Sequence, residues 1–198
     1  MKLVVENINI ELKGIFDDDM SDDDFFNFCQ LNKDLRLERD HNKQIYIIAP
    51  TGFNTGAFNS HITTELNLWN RKYKSGKVFD SSTGFTLPDK AIFSPDAAWV
   101  SNEKILLLTE EDKNKFAPLC PNFVIEIKSQ SDSLKVLQNK MLKWIENGAQ
   151  LAWLIDPANK QVFIYREDNS IAIIKGFNNK LSGENILPGF ELDLQILQ

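Results

Sequence analysis

With 198 residues, 42% hydrophobic and 25% charged, the chain has the make-up of one water-soluble globular domain, expected over residues 1–198 with its core at about 55–175. No apolar run approaches the roughly 20 residues that cross a bilayer, Met1–Glu6 lacks a signal-peptide layout, and the cytoplasm is the expected compartment. A net charge of −6 argues against a simple basic nucleic-acid coat; two distant cysteines, Cys29 and Cys120, and only two histidines exclude a disulfide framework and zinc-ligand spacing.

Residues 1–16 read as a strand or extended arm. The acidic run from Asp17 to Asp24 lacks the Gly and Glu of an EF-hand and suits a helix start instead, because acids favour a helix N-terminus. Asp24–Leu31 follows as a short helix with an aromatic face. Leu35–Arg39 and Gln44–Ile48, joined by Asp40–Lys43, carry a hairpin signal. Over 57–74, Phe58, Ile62, Leu66, Trp69 and Tyr73 recur at helical spacing, and Glu65 falls on the same stripe, one turn from His61. Gly76–Asp80 predicts a strand, Phe85–Leu87 continues the sheet, and Pro88–Lys90 turns into the segment Ser94–Val100. Residues 101–118 read as a polar surface excursion anchored to the core by Leu106–Leu108.

Phe123–Lys128 alternates: Phe123, Ile125 and Ile127 point one way, Val124, Glu126 and Lys128 the other. A carboxylate and an ammonium in an apolar strand are costly to bury without compensation, and a divalent cation held by Glu126 and Asp96 supplies it. Ser129–Ser133 offers N-caps for a helix with Leu134, Leu137, Met141, Trp144 and Ile145 on one stripe, Lys140 at its border and Gly148 as its stop. Leu151–Ile155 reads as a buried strand ended by Asp156-Pro157. Val162–Tyr165 and Ile171–Ile174 read as a hairpin, and Leu187–Leu192 packs back on the core.

Pro95-Asp96, then Glu126-Ile127-Lys128, is the Pro-Asp…acid-x-Lys pattern, and the chain resembles the PD-(D/E)XK nuclease superfamily. Ser94–Val100, Pro121–Ser129, Asn139–Met141, Glu146–Ala149 and Leu151–Pro157 together make it similar, more narrowly, to the bacterial Uma2 family of restriction-endonuclease-like proteins, over residues of about 35–190. The resemblance implies an α/β fold, a restriction-endonuclease-like mixed sheet flanked by helices, here with an extra N-terminal helix and hairpin and extra C-terminal strands. It implies a DNA endonuclease using Mg2+, with Mn2+ able to substitute. Asp96, Glu126 and the Ile127 carbonyl would be ligands, Lys128 would assist the attacking water, and Lys140 would point toward the site. Glu65, Asp80 and His61 are further candidates: an acid on the first core helix, an acid where relatives often carry one, and a phosphate or water contact. Keeping Lys128, where many relatives have an apolar residue, favours a live site. Relatives of this kind are commonly dimers, so a homodimer is possible. The alternative is an inactive module binding nucleic acid or protein on the same fold. Lys135 and Lys143 beside Lys128 and Lys140, or Arg71, Lys72, Lys74 and Lys77 at the first long helix's end, could track phosphates; the second group also suits a helix C-terminus.

Overall fold

The acidic run does begin a helix. In the computed structural model, which describes residues 13–14 and 19–198, α1 spans Asp22–Leu31. The Ser21 hydroxyl accepts from the Asp24 N–H, the Asp24 carboxylate accepts from the Ser21 N–H, and three acids fill the first turn. Ser21→Ala is therefore expected to cost about 1 kcal/mol, read as a lower urea midpoint; an unmoved midpoint would show that the cap is idle. The expected N-terminal arm lies outside the described residues, apart from residues 13 and 14.

β1 (Arg36–Arg39) and β2 (Ile45–Ile48) form the expected antiparallel hairpin. The first long helix, α2, runs Phe53–Tyr73, four residues earlier than the apolar stripe predicts, because its first turn exposes Phe53 and buries nothing. Ile62, Leu66 and Trp69 are buried, whereas Tyr73 is exposed at the helix end. β3 (Gly76–Asp80), β4 (Phe85–Thr86), β5 (Ile92–Phe93) and β6 (Ala97–Ser101) follow, then α3 (Asn102–Leu106), β7 (Phe123–Ile127) and α4 (Leu134–Glu146). Past the Asn147 cap, Gly148 takes φ 104°, the left-handed geometry that ends a helix, as expected. β8 (Leu151–Asp156), β9 (Gln161–Arg166), β10 (Ile171–Lys175), β11 (Lys180–Ser182) and β12 (Glu191–Asp193) complete the order.

The central sheet has the order β10-β9-β8-β7-β6-β3, parallel only between β7 and β8. A helix, α4, makes the crossover that a parallel pair needs. The alternation of β7 sorts the core. Phe123, Ile125 and Ile127 pack with Ile62, Leu66 and Trp69 of α2 and with Phe190 and Leu192 of the returning tail. Val124 packs on the opposite face with Met141, Trp144 and Ile145 of α4. The result is the expected mixed sheet between helices, with additions at both ends.

Two expectations are corrected. Phe85–Thr86 does not continue the β3 sheet; it joins a second sheet of order β2-β1-β5-β4. A two-residue strand followed by Pro88 and Lys90 at φ 74° turns away before it can extend the larger sheet. Leu106 and Leu107 are 82% and 83% exposed and anchor nothing, since the short α3 carries them outward. Among the described residues no helix is long and apolar enough to cross a membrane.

Candidate active site

The second sheet matters because it brings a residue that the motif omits. Register pairs Ala97 with Ile125, and one further step sets Asp96 opposite Glu126 on adjacent central strands. β1 pairs with β5 through Arg39 and Ile92, so the small sheet carries Glu38 to the same corner. Glu38 Oε1 accepts from the Ser94 N–H at 3.0 Å, two residues before Asp96.

Lys140 reaches into this corner from α4. Its Nζ lies 3.0 Å from Glu38 Oε1 and 3.0 Å from Glu126 Oε1, and 5.3 Å from the centroid of the Phe93 ring. Trp144, one turn on, donates its indole N–H to Glu126 Oε1 at 3.0 Å. The i, i+4 spacing of Lys140 and Trp144 puts both donors over one carboxylate. Asp96 is held differently: the Ile127 N–H donates to Oδ2 at 2.8 Å, and Asn59 Nδ2 of α2 donates to Oδ1 at 3.1 Å.

The electrostatics follow from burial. Glu126 is 5% exposed, and its pKa is pushed up to about 7, first by desolvation and then by Asp96 and Glu38, against Lys140. Desolvation also raises Asp96, opposed by the Ile127 N–H, Lys140, Arg36 and Asn59. Burial works against the Lys140 ammonium, but Glu126 and Glu38 overcome it and hold the lysine charged well above its ordinary range. Two carboxylates thus share one close ammonium, and the charge of the third, Asp96, is eased by it and by Arg36.

The remaining expected residues are spread out. Lys128 is half-buried and donates to the Ser129 carbonyl at 3.0 Å. It acts on Asp156, which burial would raise but which hydrogen bonds from Asn159 and Gln161, helped by the Lys128 ammonium, hold below its ordinary value. Lys140, not Lys128, is the ammonium against Glu126. Asp80 is exposed at the end of β3, accepts from Ser82, and shares a polar cleft with Asp96. Glu65 and exposed His61 lie on the flank of α2 away from that cleft, which Asn59, Thr63 and Asn67 line. Sequence reasoning missed Glu38, Asn59 and Trp144. Trp144 falls on the core stripe of its helix, and only its indole N–H, which a buried tryptophan usually pairs, signals a polar partner.

Whether these donors suit magnesium is a matter of chemistry. Asp96 and Glu126 are hard oxygen ligands, and the Ile127 carbonyl faces the same strand edge as the Ile127 N–H that Asp96 accepts. Asn59 Oδ1 is buried without a donor among the described residues, a position that a metal-bound water would satisfy. Among the described residues no three Asp, Glu, His or Cys side chains group as a metal cage. Magnesium, which keeps several waters and takes one or two carboxylates, does not require one. The donor set therefore fits.

This mixed sheet, with acids at the ends of adjacent central strands, is a restriction-endonuclease-like fold of the nuclease class. A family model described as "Putative restriction endonuclease" matches residues 22–195, and the chain belongs to that family, Uma2. Among solved structures it is similar to a crystal structure titled as a "putative nuclease belonging to DUF820" from Anabaena variabilis. The identity is 19%, the TM-score 0.70, and the match covers 85% of this chain and 95% of that one. No curated protein matches the chain.

Proposed function

We propose that the chain is a divalent-metal-dependent endonuclease that hydrolyses phosphodiester bonds of DNA, with Asp96, Glu126 and the Ile127 carbonyl holding Mg2+ or Mn2+. The single observation that carries this reading is the corner itself: Glu38 and Glu126 share the Lys140 ammonium, and Asp96, set opposite Glu126 in the sheet, opens onto a polar cleft. Family membership and fold support the nuclease class.

A bound divalent ion supplies an activated water and neutralises charge on the phosphate. The residues of the chain do the rest. Trp144 and Lys140 fix one oxygen of Glu126, leaving Oε2 for a ligand, while Asn59 and the Ile127 N–H fix the plane of Asp96. Lys140 is held charged, so it serves as a cation toward the phosphate and not as a base. Lys128, one strand step past Ile127, assists from the flank. It must first leave the Ser129 carbonyl.

One observation favours the alternative, a non-catalytic binding module: Lys140 already compensates Glu38 and Glu126 without a metal. Supercoiled plasmid and single-stranded DNA incubated with magnesium, manganese or EDTA decide between them, with Asp96→Asn, Lys128→Ala and Lys140→Ala in parallel. The expected result is metal-dependent nicking, abolished by Asp96→Asn and Lys140→Ala and reduced less by Lys128→Ala. Nicking that survives EDTA or Asp96→Asn sinks the assignment, and folded protein that binds DNA but never cleaves it establishes the module.

A further inference from the structure

The cleft beside Asp96 has a chemistry that metal-ion catalysis does not use. Its volume is about 490 Å³. Asn59, Thr63, Asn67 and Arg71 line it at every fourth residue of α2, a row along one helix face, and Asp80 closes it from β3. Asn59 sits against Asp96 at one end of the row; Arg71 lies three helical turns further on.

The lining is wrong for a phosphate track. Tracks that hold the backbone are built from lysine and arginine, whereas here two carboxylates accompany one guanidinium and the rest, Leu68 apart, are neutral amides and hydroxyls. Amide forks and hydroxyls are the groups that read base edges. Asn67 commits one amide hydrogen to the Thr63 carbonyl at 3.0 Å. Its Oδ1 and second amide hydrogen make no other bond among the described residues, and Arg71 makes no ion pair among them. The surface is also a recess. A base turned out of the stack can enter such a recess edge first and meet these groups. A volume of this size falls within the range of about 300–1,000 Å³ of small-ligand pockets.

We propose that this cleft seats one unstacked nucleotide next to the scissile phosphate and reads its base through Thr63, Asn67 and Arg71. The inference rests on the nuclease reading and adds a specificity site to it. The cleft would make cleavage depend on the base beside the cut, and would favour strands or sites where that base is unpaired.

The test is binding without cleavage. Fluorescently labelled oligo-dA, -dC, -dG and -dT are titrated with the full chain, in EDTA and in calcium, across a range of salt. Wild type is compared with Thr63→Val, Asn67→Ala and Arg71→Ala, each checked for an unchanged melting temperature. Wild type is expected to prefer one base. Asn67→Ala and Thr63→Val are expected to lower affinity for that base about 5- to 100-fold, the range of a lost base contact, with little change for the others and an unchanged salt slope. Equal losses on all four oligonucleotides with a shallower salt slope identify a phosphate track and overturn base reading. Wild-type binding untouched by all three variants overturns the cleft as a nucleotide site while leaving the nuclease reading standing. A folded wild type that binds none of the four in either condition overturns both.

Discussion

Metal-free Glu126→Gln is expected to be more stable than wild type above pH 7 and nearly equal to it at pH 5. Glu126 has an ordinary pKa of 4.5 and sits at about 7 in the folded chain, for desolvation first and for Asp96 and Glu38 second. The folded state therefore holds this proton more tightly than the unfolded chain. For a raised carboxyl the favourable contribution is complete below the unfolded pKa and is lost as pH rises through the folded one, here between about pH 4.5 and 7. At 1.36 kcal/mol per pKa unit the loss is on the order of 3 kcal/mol. Glutamine keeps the shape, can still accept from the Trp144 indole, and never ionises. Lys140 retains Glu38 in the variant. The measurement is melting temperature against pH in EDTA: the two curves should converge near pH 5 and separate by pH 8. Curves that run parallel across that range would show that burial does not raise the Glu126 carboxyl. Added magnesium should stabilise wild type at pH 8 by an amount that grows with the logarithm of its concentration above Kd, and leave the variant unmoved, because a ligand stabilises only the state that binds it.

The cost of burying Glu126 is partly legible in the sequence. The alternation of Phe123–Lys128 places Glu126 on an apolar face, and burial did follow, because β7 is central and covered on both faces. The stripes of α2 and α4 were readable for the same reason: each packs one side on the sheet. Glu38 was not readable. It lies in a strand whose neighbours Arg36 and Arg39 are also charged, so β1 resembles a solvent-facing hairpin, and only the pairing of β1 with β5 turns it inward. The direction of Lys128 was hidden too. Alternation fixes its side of the sheet, but β7 ends at Ile127, and beyond the last paired residue the ammonium is free to choose the Ser129 carbonyl. Three leucines in a polar stretch resemble an anchor, but the five-residue α3 ends at Leu106 and leaves Leu106 and Leu107 exposed, with only Leu108 half-buried.

The exchange of lysines sets the second large effect. Lys140→Met is expected to destabilise the metal-free protein by about 3–5 kcal/mol at pH 7.5, the cost of removing one partner from a buried ionic cluster. Methionine approximates the aliphatic stem but leaves Glu38 and Glu126, both under a tenth exposed, with no cation between them. The Ser94 N–H still serves Glu38 and the Trp144 indole still serves Glu126, so hydrogen bonds survive while the charge is uncompensated. If charge is the cause, removing a second charge should repair the damage. Glu126→Gln alone is expected to stabilise by about 3 kcal/mol at this pH, so the double variant must exceed the sum of the two: it is expected to be about as stable as wild type or more so, giving a coupling energy of about 1–3 kcal/mol in a double-mutant cycle. Acidification toward pH 5 should do the same for the single variant, because Glu126 then binds its proton. Urea midpoints of wild type, both single variants and the double variant at pH 5 and pH 7.5 complete the cycle. Additive effects at pH 7.5 would mean that Lys140 stabilises by packing over Phe93 and not through the carboxylates. A large coupling that disappears at pH 5 would locate the interaction in the charge of Glu126, the residue on which the proposed metal site also depends.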